Sequence, residues 1–462
     1  MNKIFSYNDD KVAILYEDRE ISYKELNVQV DYISKMLTNR KLVLVLCDNT
    51  YESIIAYLAT MKADCVPMLF PALTWDRTLK NNIKLYKPDY IFTPFYLELR
   101  EGYGLMLDDN LLKIYKLSDN SKSDLHPNLQ LLLSTSGSIG SPKCVRISKE
   151  NLSANTYDIC EYLGINENSR AITSLPMSYT YGLSIINSHL LKHGSIVLTN
   201  TSITSKKFWN LIDLYNVTDF GGVPFQYEAI LKLNIDIAKH KTLEHITQAG
   251  GRLGKLYVDK IFEKCMGRIK FYIMYGQTEA TARISYLPPQ YTKEKSGSAG
   301  ISIPHGKLYL RDECDNVIKE NGVIGEIIYE GKNVSMGYAR CRSDLIKGDI
   351  NKGVLKTGDL GFFDIDGFLY ITGRKNRIVK ICGQRIDLQH LESILCDKGF
   401  QCICVGNDDL IKIFTLEEYA DCIYDALKDE IRINRNYFKI ELVDDFYRNA
   451  NGKIDYSKYK MK

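Results

Sequence analysis

Apolar positions along the chain come in short runs separated by polar turns, and the spacing of the runs predicts alternating strands and helices. Ser22-Tyr-Lys-Glu places a hydroxyl residue three positions before a glutamate at the head of an amphipathic stretch, predicting a capped helix through about Leu37. Leu42–Cys47 is wholly apolar and strand-sized. A helix over Tyr51–Lys62 follows, then strands at Cys65–Phe70 and Tyr90–Thr93. Such strand–helix–strand spacing argues for βαβ units and a mostly parallel sheet. Near Leu131 an apolar strand leads into a Ser/Gly loop, with a helix from about Lys149, and the segment Leu175–Tyr286 repeats the alternation. After Ser296 the pieces become shorter, β-like and punctuated by glycine. A boundary is expected near Gly373–Arg377, dividing residues 1–373 from 374–462. Beyond it come a strand at Cys402–Val405, a helix at Glu417–Arg432 and a polar tail.

At 462 residues the chain is too long for one core. Sixty Lys and Arg against 57 Asp and Glu leave a formal charge of +3, which gives no electrostatic footprint for nucleic acid and no polybasic membrane patch. No apolar run approaches the roughly 18 residues of a membrane span. The first residues, MNKIFSYNDDKVAIL, have no signal-like apolar segment, so a cytoplasmic location is expected. Twelve cysteines are scattered with no C-x-x-C among them. The pair Cys402 and Cys404 falls on one face of a strand, and reduced buried thiols are the expectation.

The densest chemical signal is Leu133-Ser-Thr-Ser-Gly-Ser-Ile-Gly-Ser-Pro-Lys143. A strand entering a hydroxyl- and glycine-rich loop that ends in lysine suits a polyphosphate: close backbone N–H groups, extra hydroxyl donors and a point charge. It is not a Walker A loop, since Pro142 precedes the lysine and Cys144 follows it. A flexible surface loop is the plain alternative. Tyr275-Gly-Gln-Thr-Glu279 follows a strand at Lys270–Met274, where a carboxylate can meet magnesium. Asp359 suits a ribose diol, Arg374 a phosphate or ribose oxygen, and Lys453 stands on a polar turn near the end. Singly, a turn aspartate is usually a cap and a near-terminal lysine is usually solvated.

Together and in this order, these motifs resemble the adenylate-forming superfamily of acyl-CoA synthetases, peptide-synthetase adenylation domains and luciferases. Tyr23-Lys-Glu-Leu, STSGSIGSPK, Leu175-Pro176 to Gly182, Ala249-Gly250-Gly251, YGQTE, Gly325-Glu326 with Gly337-Tyr338, TGD, GRKNRIVKICGQRIDLQHLE and NGK all align with family motifs. The resemblance implies an α/β fold: a large N-terminal domain of βαβ layers with a distorted β-barrel-like portion, plus a small mobile α+β C-terminal domain. It implies that Thr135, Ser136, Gly137, Ser138, Gly140 and Lys143 hold the β- and γ-phosphates of ATP. Thr278 would meet the α-phosphate, and Glu279 would bind magnesium. Gly250, Gly251 and Tyr275, with Gly276 and Gln277 alongside, would surround the nucleotide, while Asp359 with Arg374 would take the ribose. Lys453 would bridge the acid and the α-phosphate. Asn376 would be the hinge, and the Lys380–Gly383 loop would face the site for thiol attack by CoA or a carrier protein's phosphopantetheine.

The chain departs from the family pattern at Ile139 and Cys144 in the loop, at Asn376 and Arg377 in the hinge, and at Tyr179 in place of a common histidine. The part after Glu392 is short for the family, which bears on the partner-facing surface. The span Ser174–Ser184 lacks the aspartate that amino-acid-activating relatives carry there. The pocket candidates Tyr179, Tyr181, Val223 and Phe225, with Pro224, Tyr272 and Ile273, therefore suit an uncharged acyl or aryl tail better than an ammonium. An acid–thiol ligase acting on a small carboxylic acid is expected. An amino-acid-activating or amide-forming ligase is the alternative, and a non-catalytic ATP-binding relic a distant third.

Overall fold

The structure, a computed structural model, describes residues 2–72, 77–94, 102–108, 112–117, 125–134, 143–381, 384–416, 419–428, 435–449 and 452–459. Two sheets carry the first two-thirds of the chain. In one, the neighbouring strands Lys270–Tyr275, His245–Gln248, Asp219–Gly222, Arg170–Ile172, Ser195–Val197 and Val12–Tyr16 all run parallel. The antiparallel strand Arg19–Ser22 closes one side, and Ser285–Leu287 with Ile301–Ser302 the other. The second sheet centres on the parallel strands Leu129–Ser134, Val66–Pro71, Leu42–Cys47 and Tyr90–Pro94. The largest core lies between the two sheets, where Val43 and Val45 of one sheet share a cluster with Ile14, Ala171 and Met274 of the other. A central strand with both faces covered has no polar alternation, and Leu42–Cys47 is buried at every position.

The helix predicted from Ser22 forms, but over Tyr23–Ser34, a little shorter than expected. Its start is a closed capping box: Glu25 N–H donates to Ser22 Oγ at 3.2 Å, and Ser22 N–H donates to the Glu25 carboxylate at 2.8 Å. The helix Tyr51–Lys62 has the predicted limits. The helix predicted over Glu417–Arg432 is described at Ala420–Lys428.

The β-like texture after Ser296 becomes a five-stranded antiparallel sheet: Val317–Ile318, Lys307–Arg311, Gly325–Glu330, Val354–Phe363 and Leu369–Arg374. Its outer strands Val317–Ile318 and Leu369–Arg374 are not paired with each other, so this sheet is open. From Ile378 onward the chain builds a smaller α+β part. The hairpin Ile378–Ile381/Gln384–Asp387, the helix Leu388–Asp397 and the sheet Cys402–Gly406, Ile411–Thr415, Phe438–Leu442 enclose a core of their own. The described cysteines are all free, Cys404 fully buried and Cys402 half-buried on the same strand face. Among the described residues no helix is long and apolar enough to cross a membrane.

Candidate active site

Parallel strands of an open α/β sheet deliver their following loops to one edge, and ligands bind there. Here that edge receives Tyr275 from Lys270–Tyr275, Ala249 to Gly251 after His245–Gln248, and Val223 after Asp219–Gly222. Gly250 is left-handed, with φ of +88°, and a Cβ on it would lie 2.7 Å from Tyr179 Oη and 3.1 Å from Val223 Cγ1. Only glycine meets both demands without strain. Gly251 packs on Pro224.

The loop after Tyr275 doubles back sharply. A Cβ on Gly276 would sit 1.8 Å from the carbonyl oxygen of Ala282, and Thr278–Ala280 form one 3-10 turn. Buried Asn333 fixes the return by donating from its amide to the carbonyls of Ala280 and Arg283, each at 2.9 Å. Glu279 accepts a hydrogen bond from Tyr338 Oη at 2.5 Å, and the Lys143 ammonium stands 4.1 Å from the centre of the same tyrosine ring. The lysine at the end of the Ser/Gly loop and the carboxylate of YGQTE therefore meet across one side chain. Thr135, Ser136, Gly137, Ser138 and Gly140 lie outside the described residues, as do Gly383 and Asn451.

Asp359 and Arg374 are register partners in the five-stranded sheet, with the guanidinium Nε 2.7 Å from Oδ1. The aspartate is only 3% exposed. Its Oδ2 accepts from Tyr275 Oη at 2.5 Å and from the Gln277 amide at 2.6 Å. Burial and the neighbouring Asp359 charge push the Tyr275 hydroxyl well above its usual pKa. Oδ2 thus has both lone pairs occupied while Oδ1 keeps one open, so a diol reaching both oxygens must displace Tyr275 or Gln277.

Lys453 comes from the far end of the chain into this group. Its turn is tied by Asn449 N–H donating to the Lys453 carbonyl at 2.8 Å and by Gly452 at φ +73°. The ammonium lies 5.2 Å from the centre of the Tyr179 ring, and its Cε approaches Gly250. Burial first, and then the nearby Arg374 charge, lower its pKa to about 8, against the pull of Glu279 and Asp359.

Several contacts hold the small part in this position. Asp397 accepts from the Arg252 guanidinium at 2.6 Å and from Lys255 N–H at 2.9 Å. The Gln401 amide donates to Glu228 at 3.1 Å, and Asp387 packs so tightly on Gly373 that a Cβ there would overlap its carboxylate. Phe225, a pocket candidate, is 40% exposed and lies under the Arg448 guanidinium at 4.5 Å, so it belongs to this seam and not to the tyrosine group. Ile273 faces the opposite side of its strand from Tyr272, in a different core cluster. Asn376 and Lys380 are exposed, and Lys380 N–H donates to Asp408.

Tyr179 and Tyr181 stand edge to face with centroids 6.3 Å apart. Tyr181 Oη donates to the Thr247 carbonyl at 2.8 Å. Behind them sits a residue that sequence reasoning missed, Arg283, only 2% exposed and with its guanidinium 4.1 Å from the centre of the Tyr181 ring. Its position just past YGQTE was the available signal. Tyr338 was missed as well, although it lies in a motif already noted.

The residues present fit a magnesium–nucleotide complex. A single carboxylate, Glu279, is enough for an ion that takes most of its ligands from phosphates and water, and no cluster of three metal-ligating side chains occurs among the described residues.

Residues 4–339 match the family model described as AMP-binding enzyme. A 2-succinylbenzoate–CoA ligase from Bacillus cereus is 25% identical over 84% of this chain and 80% of its own length. An oxalate–CoA ligase from Saccharomyces cerevisiae is 25% identical over 98% of this chain and 94% of its own. Among solved structures, o-succinylbenzoate CoA synthetase from Bacillus subtilis in complex with its acyl-adenylate intermediate superposes with a TM-score of 0.79 at 20% identity, covering 98% of this chain and 96% of that one. ATP-bound MatB from Rhodopseudomonas palustris gives 0.79 at 20% identity, covering 99% and 97%. With the family model spanning well over half its length, the chain belongs to the AMP-binding enzyme family.

Proposed function

We propose that this chain condenses a small carboxylic acid with ATP to an acyl adenylate and then passes the acyl group to CoA, acting in the cytoplasm. The observation that carries the reading is the arrival of Lys453 beside Gly250 and Tyr179, at the strand-end edge that also bears Glu279 and Asp359. In the first step a carboxylate oxygen attacks the α-phosphorus and pyrophosphate leaves. Two anions must meet, and Lys453 supplies positive charge where they do. Magnesium, held by Glu279 and the phosphates, would offset the charge of the leaving group. Lys143 carries the β- and γ-phosphates and Thr278 faces the α-phosphate. Asp359 with Arg374 takes the ribose, and Gly250, Gly251 and Tyr275 flank the base. In the second step a thiolate attacks the acyl carbon and AMP leaves.

The acceptor step needs Lys453 out of the way, so the parts on either side of the Gly373–Arg377 boundary act as two bodies. Arg374 is bound to Asp359 and Lys375 to Glu326 at 2.8 Å, both on the large side. Arg377 is clamped to Glu392 through two bonds of 2.8 Å on the small side. Asn376, between these anchors, is left as the pivot, and rotation there would bring the loop beginning at Lys380 to the site. The names of the ligases that this chain resembles favour CoA over a carrier protein.

Lys453→Ala is expected to lower the adenylation half-reaction by about 10²-fold or more while sparing thioester formation from a presynthesised acyl adenylate. Assaying the half-reactions separately decides this. Equal loss in both, or in neither, contradicts the role given to the lysine.

A further inference from the structure

Arg283 is among the largest fully buried side chains of the protein, and none of the ion pairs among the described residues includes it. Its Nε points to the Met274 sulfur at 3.4 Å, and the hydroxyl of Tyr162 donates to the same sulfur at 3.0 Å. The rest of the head group lies on Tyr181. A tyrosine face attracts a cation, yet it replaces only part of the hydration that a buried guanidinium gives up. Buried arginines are ordinarily paired with a carboxylate. Asp219, a buried carboxylate of the sheet beside it, is already taken by His245 at 2.9 Å and by His189 at 3.6 Å.

The placement is rigid. The Arg283 carbonyl accepts from Asn155 at 3.2 Å and from Asn333 at 2.9 Å, so the backbone that carries the guanidinium cannot drift. Arg283 also stands on the same loop as Glu279, four residues further on. Lys453 lies on one ring of the Tyr179–Tyr181 pair and Arg283 on the other. The tyrosine pair therefore has a cation on each of its two rings. The charge of Arg283 reaches both hydroxyls, opposing the burial that pushes them up to about 12.

We propose that Arg283 is the specificity residue of the acid pocket and takes a second carboxylate on the substrate's tail, so that this ligase activates dicarboxylic acids. The inference rests on the acid-ligase reading above and refines it. One carboxylate of the substrate lies at Lys453 and reacts, while the other pairs with Arg283 and stays unmodified. A planar guanidinium offers such a group two parallel donors. The sequence-based expectation of an uncharged tail is revised accordingly. Its companion, that an ammonium is unwelcome, is strengthened, because the pocket's buried charge is itself positive.

The test measures pyrophosphate release with a series of aliphatic and aromatic diacids of increasing length, each beside its monoamide and the matching monoacid. The wild-type enzyme should prefer a diacid over its two analogues by about 10²-fold or more in kcat/KM, since each analogue leaves the buried guanidinium unpaired. Arg283→Gln should bring the three compounds near parity, and Arg283→Lys should keep part of the preference. Calorimetric ATP binding by both variants shows that they are folded. If Arg283→Gln fails to fold, the wild-type comparison and Arg283→Lys still decide. Wild-type activity on monoacids or monoamides equal to that on every diacid overturns the inference and leaves the ligase reading standing. So does a folded Arg283→Gln enzyme that keeps the preference. Release with none of the acids contradicts the ligase reading itself.

Discussion

In the proposed role at the adenylation transition state Lys453 carries a proton, and its burial beside Arg374 lowers its pKa to about 8. The charged form prevails below that value and is lost above it. Because kcat/KM reports ionisations of the free enzyme, kcat/KM for adenylation should fall as pH rises through about 8. Bound phosphates favour the ammonium, so the corresponding limb in kcat should lie higher. A pH series of pyrophosphate release at limiting and at saturating substrate checks both. A kcat/KM profile that stays flat across this range would show that the proton on Lys453 is not required. At this scale much of the site was legible from the sequence. Gly250, Asp359, Arg374, Glu279 and Lys453 were picked out by motif order, and they lie close together in the structure. Arg283 was passed over although its place just past YGQTE was visible, because its meaning rests on its taking part in none of the ion pairs among the described residues, which no linear pattern records. Where Phe225 would lie was not legible for a related reason: a helix-opening aromatic can face either the pocket or the seam, and the Arg448 that covers it is more than two hundred residues away.

Among the elements, those with strong local signals appeared where they were expected. The capping box at Ser22 and Glu25 and the buried run Leu42–Cys47 needed only their own residues. The hairpin Val12–Tyr16/Arg19–Ser22 did not stand out, since its first strand is an apolar run of five, buried at its three central positions, and its turn is only two residues, Glu17 and Asp18, both left-handed. The linker Lys375–Arg377 is expected to be a hinge by resemblance, and the contacts on either side of it bear on that proposal. Arg377, which departs from the family pattern, is the residue that fastens the small side of the hinge, through Glu392, the Cys404 carbonyl and the Tyr456 ring. If Asn376 alone absorbs the rotation, then Asn376→Pro should trap one orientation by fixing φ near −65°. Adenylation should survive and the thiol step should fail, with the acyl adenylate accumulating on the enzyme. Unaltered overall turnover would place the pivot elsewhere.

For the molecule as a whole, the family assignment followed from motif order, and a division near Gly373–Arg377 was the expectation. The way the parts are joined did not follow from motif order. The seam is built from Arg252 with Asp397, Gln401 with Glu228, and the close packing of Asp387 on Gly373, pairs brought together only by the fold. It holds Lys453 beside Gly250 and Tyr179, which is the arrangement that the proposed adenylation step calls for. The most direct test of that chemistry follows oxygen. An acid labelled with oxygen-18 in its reacting carboxyl group is incubated with the enzyme, ATP, magnesium and CoA, and the nucleotide product is examined by mass spectrometry. Attack by the carboxylate on the α-phosphorus, followed by thiol displacement, predicts AMP carrying one labelled oxygen together with unlabelled pyrophosphate. Formation of ADP and labelled phosphate, or of AMP without label, would contradict it.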